Sequence, residues 1–311
     1  MRVAGIAHRD ELSQFDMSSD ELLAMVREGA VRRVQRWYVK PEAPADVVAV
    51  LAKGARPTCI DGAALLGLWT PPVATAVHVF RPRMGTGRRD RAILPTGVDP
   101  TVRATPIRRN RDGSIRSGMK LVPLQFHGPS LRHWPDNQPV PPLSTVLEHC
   151  ARCLTVIQAA TIIESALEKR LLTRSGLEDL LAALPRDARR ALARVRSDAG
   201  SGTETTVRWW FESRRIKVRS QVVIPGVGRV DLLVGDSWVI ECDSHEFHEI
   251  KDQYENDRSR DLVLRTLGYT VTRLTWEQVF LTWPATAKML ETIYRRGDHR
   301  RPIPDRAFRA A

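Results

Sequence analysis

The feature that most constrains this chain is a pair of short apolar runs toward its carboxyl end. They read Arg229-Val230-Asp231-Leu232-Leu233-Val234 and Ser237-Trp238-Val239-Ile240-Glu241-Cys242-Asp243, with Gly235-Asp236 between them. β-Branched and aromatic residues in runs of this length, joined by a glycine turn, predict the two strands of a hairpin. Each run carries a carboxylate that is costly to bury without a partner. Two carboxylates at matching heights on adjacent strands, Asp231 and Glu241, suit a hard divalent cation, which takes oxygen ligands and keeps several waters. A helix from Gly202-Thr203-Glu204 to about Glu212, a strand over Ile216–Ile224 and a turn at Pro225-Gly226-Val227-Gly228 precede the hairpin. A helix from about Lys251 to Leu267 and a strand over Tyr269–Leu274 follow it, so the order is α-β-β-β-α-β. Glu204, on the preceding helix, is placed to orient a metal-bound water. Metal-assisted phosphodiester hydrolysis needs these parts: a polarised phosphoryl oxygen, an activated water and a stabilised leaving oxygen.

The pattern Glu204 … Asp231 … Glu241-Cys242-Asp243 resembles the core of PD-(D/E)XK nucleases. The closer resemblance is to very-short-patch-repair (Vsr)-like endonucleases. It is carried by the Glu-x-Asp ending, by His245-Glu246-Phe247-His248, by Asp257-Arg258-Ser259-Arg260-Asp261, and by the closing Leu267–Glu277, and it spans about residues 200–283. The resemblance implies Asp231 as the principal metal carboxylate, Glu241 as the second acidic position and the Cys242 carbonyl as a backbone ligand. It implies His248 as general acid or base and Arg258 and Arg260 at the scissile phosphate, oriented by Asp257 and Asp261. The ion implied is Mg²⁺ or Mn²⁺. Asp243 stands where the superfamily carries Lys, so it must ligate a second metal or leave charge stabilisation to an Arg or to His248. Trp209, Trp210 and Trp276 are expected in the core.

The remainder of the chain points to a polyanion. Its 311 residues carry a formal net charge of +12, which favours phosphate contact through counterion release. Only seven of the 48 basic residues are Lys. Arg supplies a planar fork for phosphate oxygens and guanine edges, although genome base composition alone also produces Arg-rich chains. Placement favours the first reading. Residues 81–120 hold eleven basic side chains, Arg108 and Arg109 among them, against Asp90, Asp99 and Asp112. A hydrophobic fraction of 42% excludes a wholly disordered chain. No segment approaches the roughly 18 apolar residues of a membrane span, and the start lacks the apolar core of a secretory signal. Four cysteines in so long a chain are no disulfide framework, so the expectation is a reduced, cytoplasmic protein.

At the amino end, a short helical pattern over His8–Phe15 precedes a capping box, Ser18 with Glu21. That box opens a helix with Leu22, Leu23, Met25 and Val26 to one side and its end at Gly29. Val31–Val39 then alternates as a basic hairpin holding Arg32, Arg33 and Arg36. Helical patterns follow over Asp46–Ala52 and Asp61–Trp69. Helix, capped helix and basic hairpin, then Gly62–Trp69, resemble the winged helix-turn-helix domain of AbiEi-type antitoxins. Because the recognition helix begins Asp20-Glu21, the wing is the better DNA contact. Cys150-Ala151-Arg152-Cys153 lacks a second pair at zinc spacing and is read as core.

The expected architecture is therefore α/β. It comprises a winged helix-turn-helix at 1–75, a basic loop-rich region at 76–143, a helical region at 144–198, a Vsr-like PD-(D/E)XK domain at 199–296 and a frayed basic tail at 297–311. In the helical region the expected helices are Thr155–Arg170, one capped by Ser175 with Glu178, and one ending near Arg196. The expected function is a metal-dependent DNA endonuclease or nickase with DNA as its partner, no membrane, and a homodimer left open. The alternative is an antitoxin-like regulator that binds DNA through an inactive nuclease fold.

Overall fold

The computed structural model describes residues 3–72, 76–81, 91–95, 119–128, 136–243 and 260–303. It is mixed α/β, with one three-stranded and two four-stranded sheets. The chain divides into two units, residues 1–153 with 182–185, and residues 154–181 with 186–311.

The first unit opens with strand β1 (Ile6–His8), helix α1 (Arg9–Leu12) and a 3₁₀ turn, then α2 (Ser19–Arg27). The Ser18 hydroxyl accepts the Glu21 N–H at 3.2 Å and the Glu21 carboxylate accepts the Ser18 N–H at 2.7 Å, the expected capping box. Leu22, Met25 and Val26 pack inward with Val31 and Tyr38. Leu23 does not; it is exposed, because the helix meets its neighbours along a single narrow stripe. Strands β2 (Arg32–Val34) and β3 (Trp37–Val39) form a hairpin with Gln35-Arg36 at its turn, and β1 adds antiparallel to β3.

After α3 (Ala45–Leu51) come β4 (Arg56–Pro57), α4 (Cys59–Leu65), β5 (Val77–Phe80), β6 (Arg91–Pro95) and β7 (Met119–His127), a sheet of order β4-β5-β7-β6 with β5 and β7 parallel. The region 76–143, expected to be loop-rich, therefore holds three strands among its described residues. Val77, Val79, Val122 and Leu124 pack with Val50 and Ala55 as the core of this sheet. Their short apolar runs are diluted by surrounding arginines when charge is averaged over forty residues. Helix α5 (Leu143–Cys153) belongs to this unit and packs on α4.

The second unit contains α6 (Val156–Glu168), capped by Thr155 with Gln158, then α7 (Arg174–Ala183) up to Leu181, and α8 (Arg186–Ala191). The stretch 144–198 is thus divided: α5 turns its apolar face to α4, and α6 to α9 (Gly202–Ser213). The cap of α7 is Thr173, whose hydroxyl accepts the Gly176 N–H at 3.0 Å, so the helix starts one residue before Ser175. At the centre of the α6–α9 contact the fully buried Glu164 carboxylate accepts bonds from Arg208, Trp209 Nε1 and Thr205 Oγ1, while Arg208 also pairs with Glu212 at 3.0 Å.

The α-β-β-β-α-β order is present. Strands β8 (Val218–Ile224), β9 (Gly228–Val234) and β10 (Trp238–Cys242) form an antiparallel meander. Helix α10, described over 260–266, leads to β11 (Thr270–Leu274), parallel to β10, in a sheet of order β11-β10-β9-β8. Each sheet face has its own core. Leu232, Val234, Trp238 and Ile240 pack with α9, α11 (Trp276–Phe280) and α12 (Trp283–Arg295), whereas Val230, Leu233 and Val239 pack with Leu264 of α10. Trp209 and Trp210 are buried as expected, and Trp276 is half-buried.

The tail is not frayed over its described part. Asp298 and His299 are buried, the Ser237 hydroxyl donates to the Asp298 carbonyl at 2.9 Å, and the Asp236 N–H donates to the His299 carbonyl at 2.9 Å. Gly235 allows this contact. Its φ is +59°, and a Cβ there would stand 2.3 Å from the His299 carbonyl oxygen. Residues 304–311 lie outside the described residues.

Candidate functional site

The β9–β10 hairpin sets the two acidic positions. Its register pairs Val239 with Leu233 and Ile240 with Leu232, and one further step brings Glu241 opposite Asp231. At that step the side chains interleave with the backbone. The Asp231 carboxylate accepts the Cys242 N–H at 2.9 Å, and Glu241 Oε2 accepts the Asp231 N–H at 3.4 Å.

Glu204 approaches from α9. Ser201 caps that helix by accepting the Glu204 N–H at 3.1 Å, and Glu204 Oε2 accepts the Gly200 N–H at 2.8 Å. The link between Glu204 and Asp231 is Gln221. Its amide Nε2 donates to Glu204 Oε2 at 2.8 Å and reaches Asp231 Oδ1 at 3.5 Å. Gln221 lies between the ladder pairs Ser220–Leu232 and Val222–Val230 and adopts a φ of +52°, a left-handed conformation uncommon for a non-glycine residue in a strand. That local kink aims the amide at both carboxyls. A Cβ on Gly200 would come within 3.3 Å of both the Gln221 amide and the Glu204 carboxylate, so a side chain there would press on the pair.

Sequence reasoning placed Glu204, Asp231 and Glu241 but missed Gln221. The one signal for it was a polar residue between Ser220 and Val222 in an otherwise alternating strand.

The electrostatics follow from burial. Glu204 is 1% exposed, and its pKa is pushed up to about 8, chiefly by desolvation and further by the Asp231 charge, against the Gln221 and Gly200 bonds that favour the anion. Burial first and the Asp231 charge second push Glu241 up to about 7, while Arg260 opposes the shift. Glu204 Oε1 is buried without a hydrogen-bond partner. Burial first, and the neighbouring carboxylates second, push the Cys242 thiol well above its ordinary range, so the side chain is inert packing while the Cys242 backbone N–H serves Asp231.

These two carboxyls make stability depend on pH with a definite sign. Each has a folded-state pKa above its unfolded value, so the native state binds more protons between about pH 4.5 and 8. The stabilisation is complete below the unfolded pKa and is lost as pH rises through the folded one. In the absence of divalent ions, the guanidinium unfolding free energy is expected to fall by several kcal/mol from pH 5 to pH 9, each unit of pKa difference being worth about 1.4 kcal/mol. The Glu204→Gln variant should show a clearly flatter profile; an unchanged slope would assign the titration elsewhere.

The remaining expected positions are less uniform. Arg260 Nη2 donates to the Arg229 carbonyl at 2.7 Å and to Glu241 Oε1 at 3.3 Å, so it faces the acidic pair. Asp243 is exposed and lies 3.4 Å from Arg273, which also binds Asp261 at 3.0 Å. His245, His248, Asp257 and Arg258 lie outside the described residues. So do Arg108, Arg109 and most of the basic residues of 81–120. In the first unit, Arg32 and Arg33 on β2 and Arg36 at the turn are all exposed along the hairpin.

No helix among the described residues is long and apolar enough to cross a membrane. Comparison with known proteins finds no matching family model, no matching curated protein and no matching solved structure.

Proposed function

We propose that this chain is a metal-dependent DNA endonuclease or nickase of PD-(D/E)XK, Vsr-like type, guided by a winged helix-turn-helix at its amino end. The observation that carries the reading is the chain of contacts from Glu204 through Gln221 to Asp231 and on to Glu241. The donor set fits a hard cation: Asp231 and Glu241 as carboxylate ligands, the Cys242 carbonyl beside them, and a buried Glu204 oxygen with no partner. Mg²⁺ or Mn²⁺ at Asp231 and Glu241 would supply Lewis-acid polarisation of a phosphoryl oxygen and a more acidic water.

The chain's own groups do the rest. Gln221 fixes the distance between Glu204 and Asp231. Glu204, pushed up to about 8 by burial, keeps its proton through most of the neutral range when no cation is bound; a cation at Asp231 would favour its anion, the form that can accept a proton from an attacking water. Arg260 holds Glu241 in place and offsets its charge. Arg32, Arg33 and Arg36 along the exposed hairpin supply phosphate contacts.

Incubation of the full-length protein with supercoiled plasmid and Mg²⁺ or Mn²⁺ is expected to give nicked or linear DNA, blocked by EDTA. Intact plasmid across several metals and substrates would count against the reading. The regulator alternative draws on one observation, the exposed Asp243 paired to Arg273 at the position expected to stabilise developing charge. It predicts an EDTA-resistant footprint and no cutting. Binding should also report the wing. The double variant Arg32→Ala/Arg33→Ala is expected to reduce the slope of log K against log salt by about 2, since each phosphate contact contributes roughly 0.9. An unchanged slope would move the DNA contact away from this hairpin.

A further inference from the structure

A second cluster of metal-ligating side chains lies in the first unit and plays no part in the proposed nuclease chemistry. Cys59 begins α4, His78 lies on β5, His127 ends β7 and Cys153 ends α5. One ligand atom from each comes within 4.8 Å of all the others. The facing ring nitrogens of His78 and His127 are 2.9 Å apart, and Cys153 Sγ is 3.7 Å from His78 Nδ1. In a tetrahedral zinc site with Zn–S near 2.3 Å and Zn–N near 2.0–2.1 Å, ligand atoms stand roughly 3.3–3.8 Å from one another. The His78–Cys153 separation already falls in this range, the two imidazoles need to part by only a few tenths of an ångström, and no other pair exceeds the range by more than about 1 Å.

The frame around them is stiff. The His78 N–H donates to Asp61 Oδ2 at 2.7 Å, and its carbonyl accepts the Thr58 N–H at 2.9 Å, which fixes β5 against the start of α4. Cys59 adopts a φ of +51°, a conformation costly for a residue with a Cβ, and so its thiol is delivered at local expense. His149 Nδ1 is engaged with Thr58 Oγ1 at 2.8 Å while its ring packs 5.1 Å from that of His127, which buttresses one ligand from behind.

We propose that Cys59, His78, His127 and Cys153 form a four-ligand zinc site that ties α4, β5, β7 and α5 together. Two thiolates with two imidazoles in tetrahedral array select Zn²⁺ by softness and geometry, and four protein ligands make the site closed and structural. On binding, the two thiols release their protons to solvent and two Zn–S bonds form. The sequence concealed the set because its members come from four elements with no short spacing. Cys153, read as core, is exposed, and it finds its co-ligands far away in the chain.

The test uses the full-length protein loaded with zinc, desalted and analysed for metal, and in parallel titrated with Co²⁺. About one zinc per chain is expected, together with a thiolate-to-cobalt charge-transfer band and strong visible d–d bands of tetrahedral cobalt. Cys153→Ser and His127→Gln, at exposed and half-buried positions, should each keep the circular dichroism of the parent. Each should hold less than about a tenth of an equivalent and lose the charge-transfer band. Asp231→Asn should leave the band intact. Absence of a thiolate–cobalt band in the parent would overturn the proposal. So would its persistence in both ligand variants, or its loss with Asp231→Asn.

Discussion

The Asp231→Asn variant is expected to cut plasmid at least about 10³-fold more slowly than the parent, a loss of ~4 kcal/mol of transition-state stabilisation. The substitution is nearly isosteric. An amide oxygen can still accept the Cys242 N–H that Asp231 now accepts at 2.9 Å, so the β9–β10 alignment should survive. What is lost is the negative charge that, with Glu241, would hold the cation. DNA affinity in EDTA should change by less than about twofold, because the wing and not this pair would carry the phosphate contacts. A second readout is independent of DNA. The Asp231 charge helps to push the Glu241 carboxyl up, so its removal should let Glu241 titrate closer to the ordinary carboxylate range and flatten the pH profile of stability. Unchanged cutting by the variant would show that the chemistry, if any, lies elsewhere. Flattened stability with no activity in the parent would leave the electrostatic description standing and remove the nuclease reading.

The largest effect on folding is expected at Arg208. This side chain is fully buried and pairs with Glu164, itself fully buried, and with Glu212. Arg208→Met keeps most of the volume but leaves the Glu164 carboxylate with only Trp209, Thr205 and the Arg196 N–H as partners. Breaking one side of a buried ion pair costs about 3–5 kcal/mol, because the surviving charge keeps its desolvation penalty and loses its compensation. Guanidinium unfolding at fixed pH should show that loss in the midpoint with little change in slope. The double variant Glu164→Leu/Arg208→Met removes both charges. It should recover at least about half of the loss, although Trp209 Nε1 and Thr205 then lose their acceptor at roughly 1 kcal/mol each. A single variant within about 1 kcal/mol of the parent would mean that water reaches this pair.

These two sites differ in how far they could be read in advance. Asp231 and Glu241 were legible because a carboxylate inside an apolar β-run violates the local pattern; their pairing was decided by the structure, in which Val234 pairs with Trp238 across the three-residue connection Gly235-Asp236-Ser237, whereas a two-residue turn would set Ile240 opposite Asp231. Glu204 was legible from its place at the start of the helix that precedes the strands. Gln221 was not, since an amide in a half-exposed strand violates nothing; only its left-handed φ and its two bonds reveal its role. Glu164 and Arg208 looked like ordinary charged positions on two helices 44 residues apart, and their burial depends on how α6 packs on α9. Arg260, read as a phosphate contact, meets Glu241 because α10 runs beside β10.

What the amino-acid sequence determined by itself is the set of features governed by neighbours in the chain. These are the capping box at Ser18, the basic hairpin over Val31–Val39, and the α-β-β-β-α-β succession with its acidic strands. Hydrogen bonds and side-chain periodicity at separations of two to four residues fix such features before any packing occurs. What only the tertiary structure decided is everything that depends on which faces meet. The β-sheet hidden in the arginine-rich 76–143 stretch, the docking of Asp298 and His299 on Gly235, and the meeting of Cys59, His78, His127 and Cys153 all belong there. Contacts across tens of residues are selected by burial of apolar surface and by compensation of buried charge, and neither quantity is written in the local order of side chains.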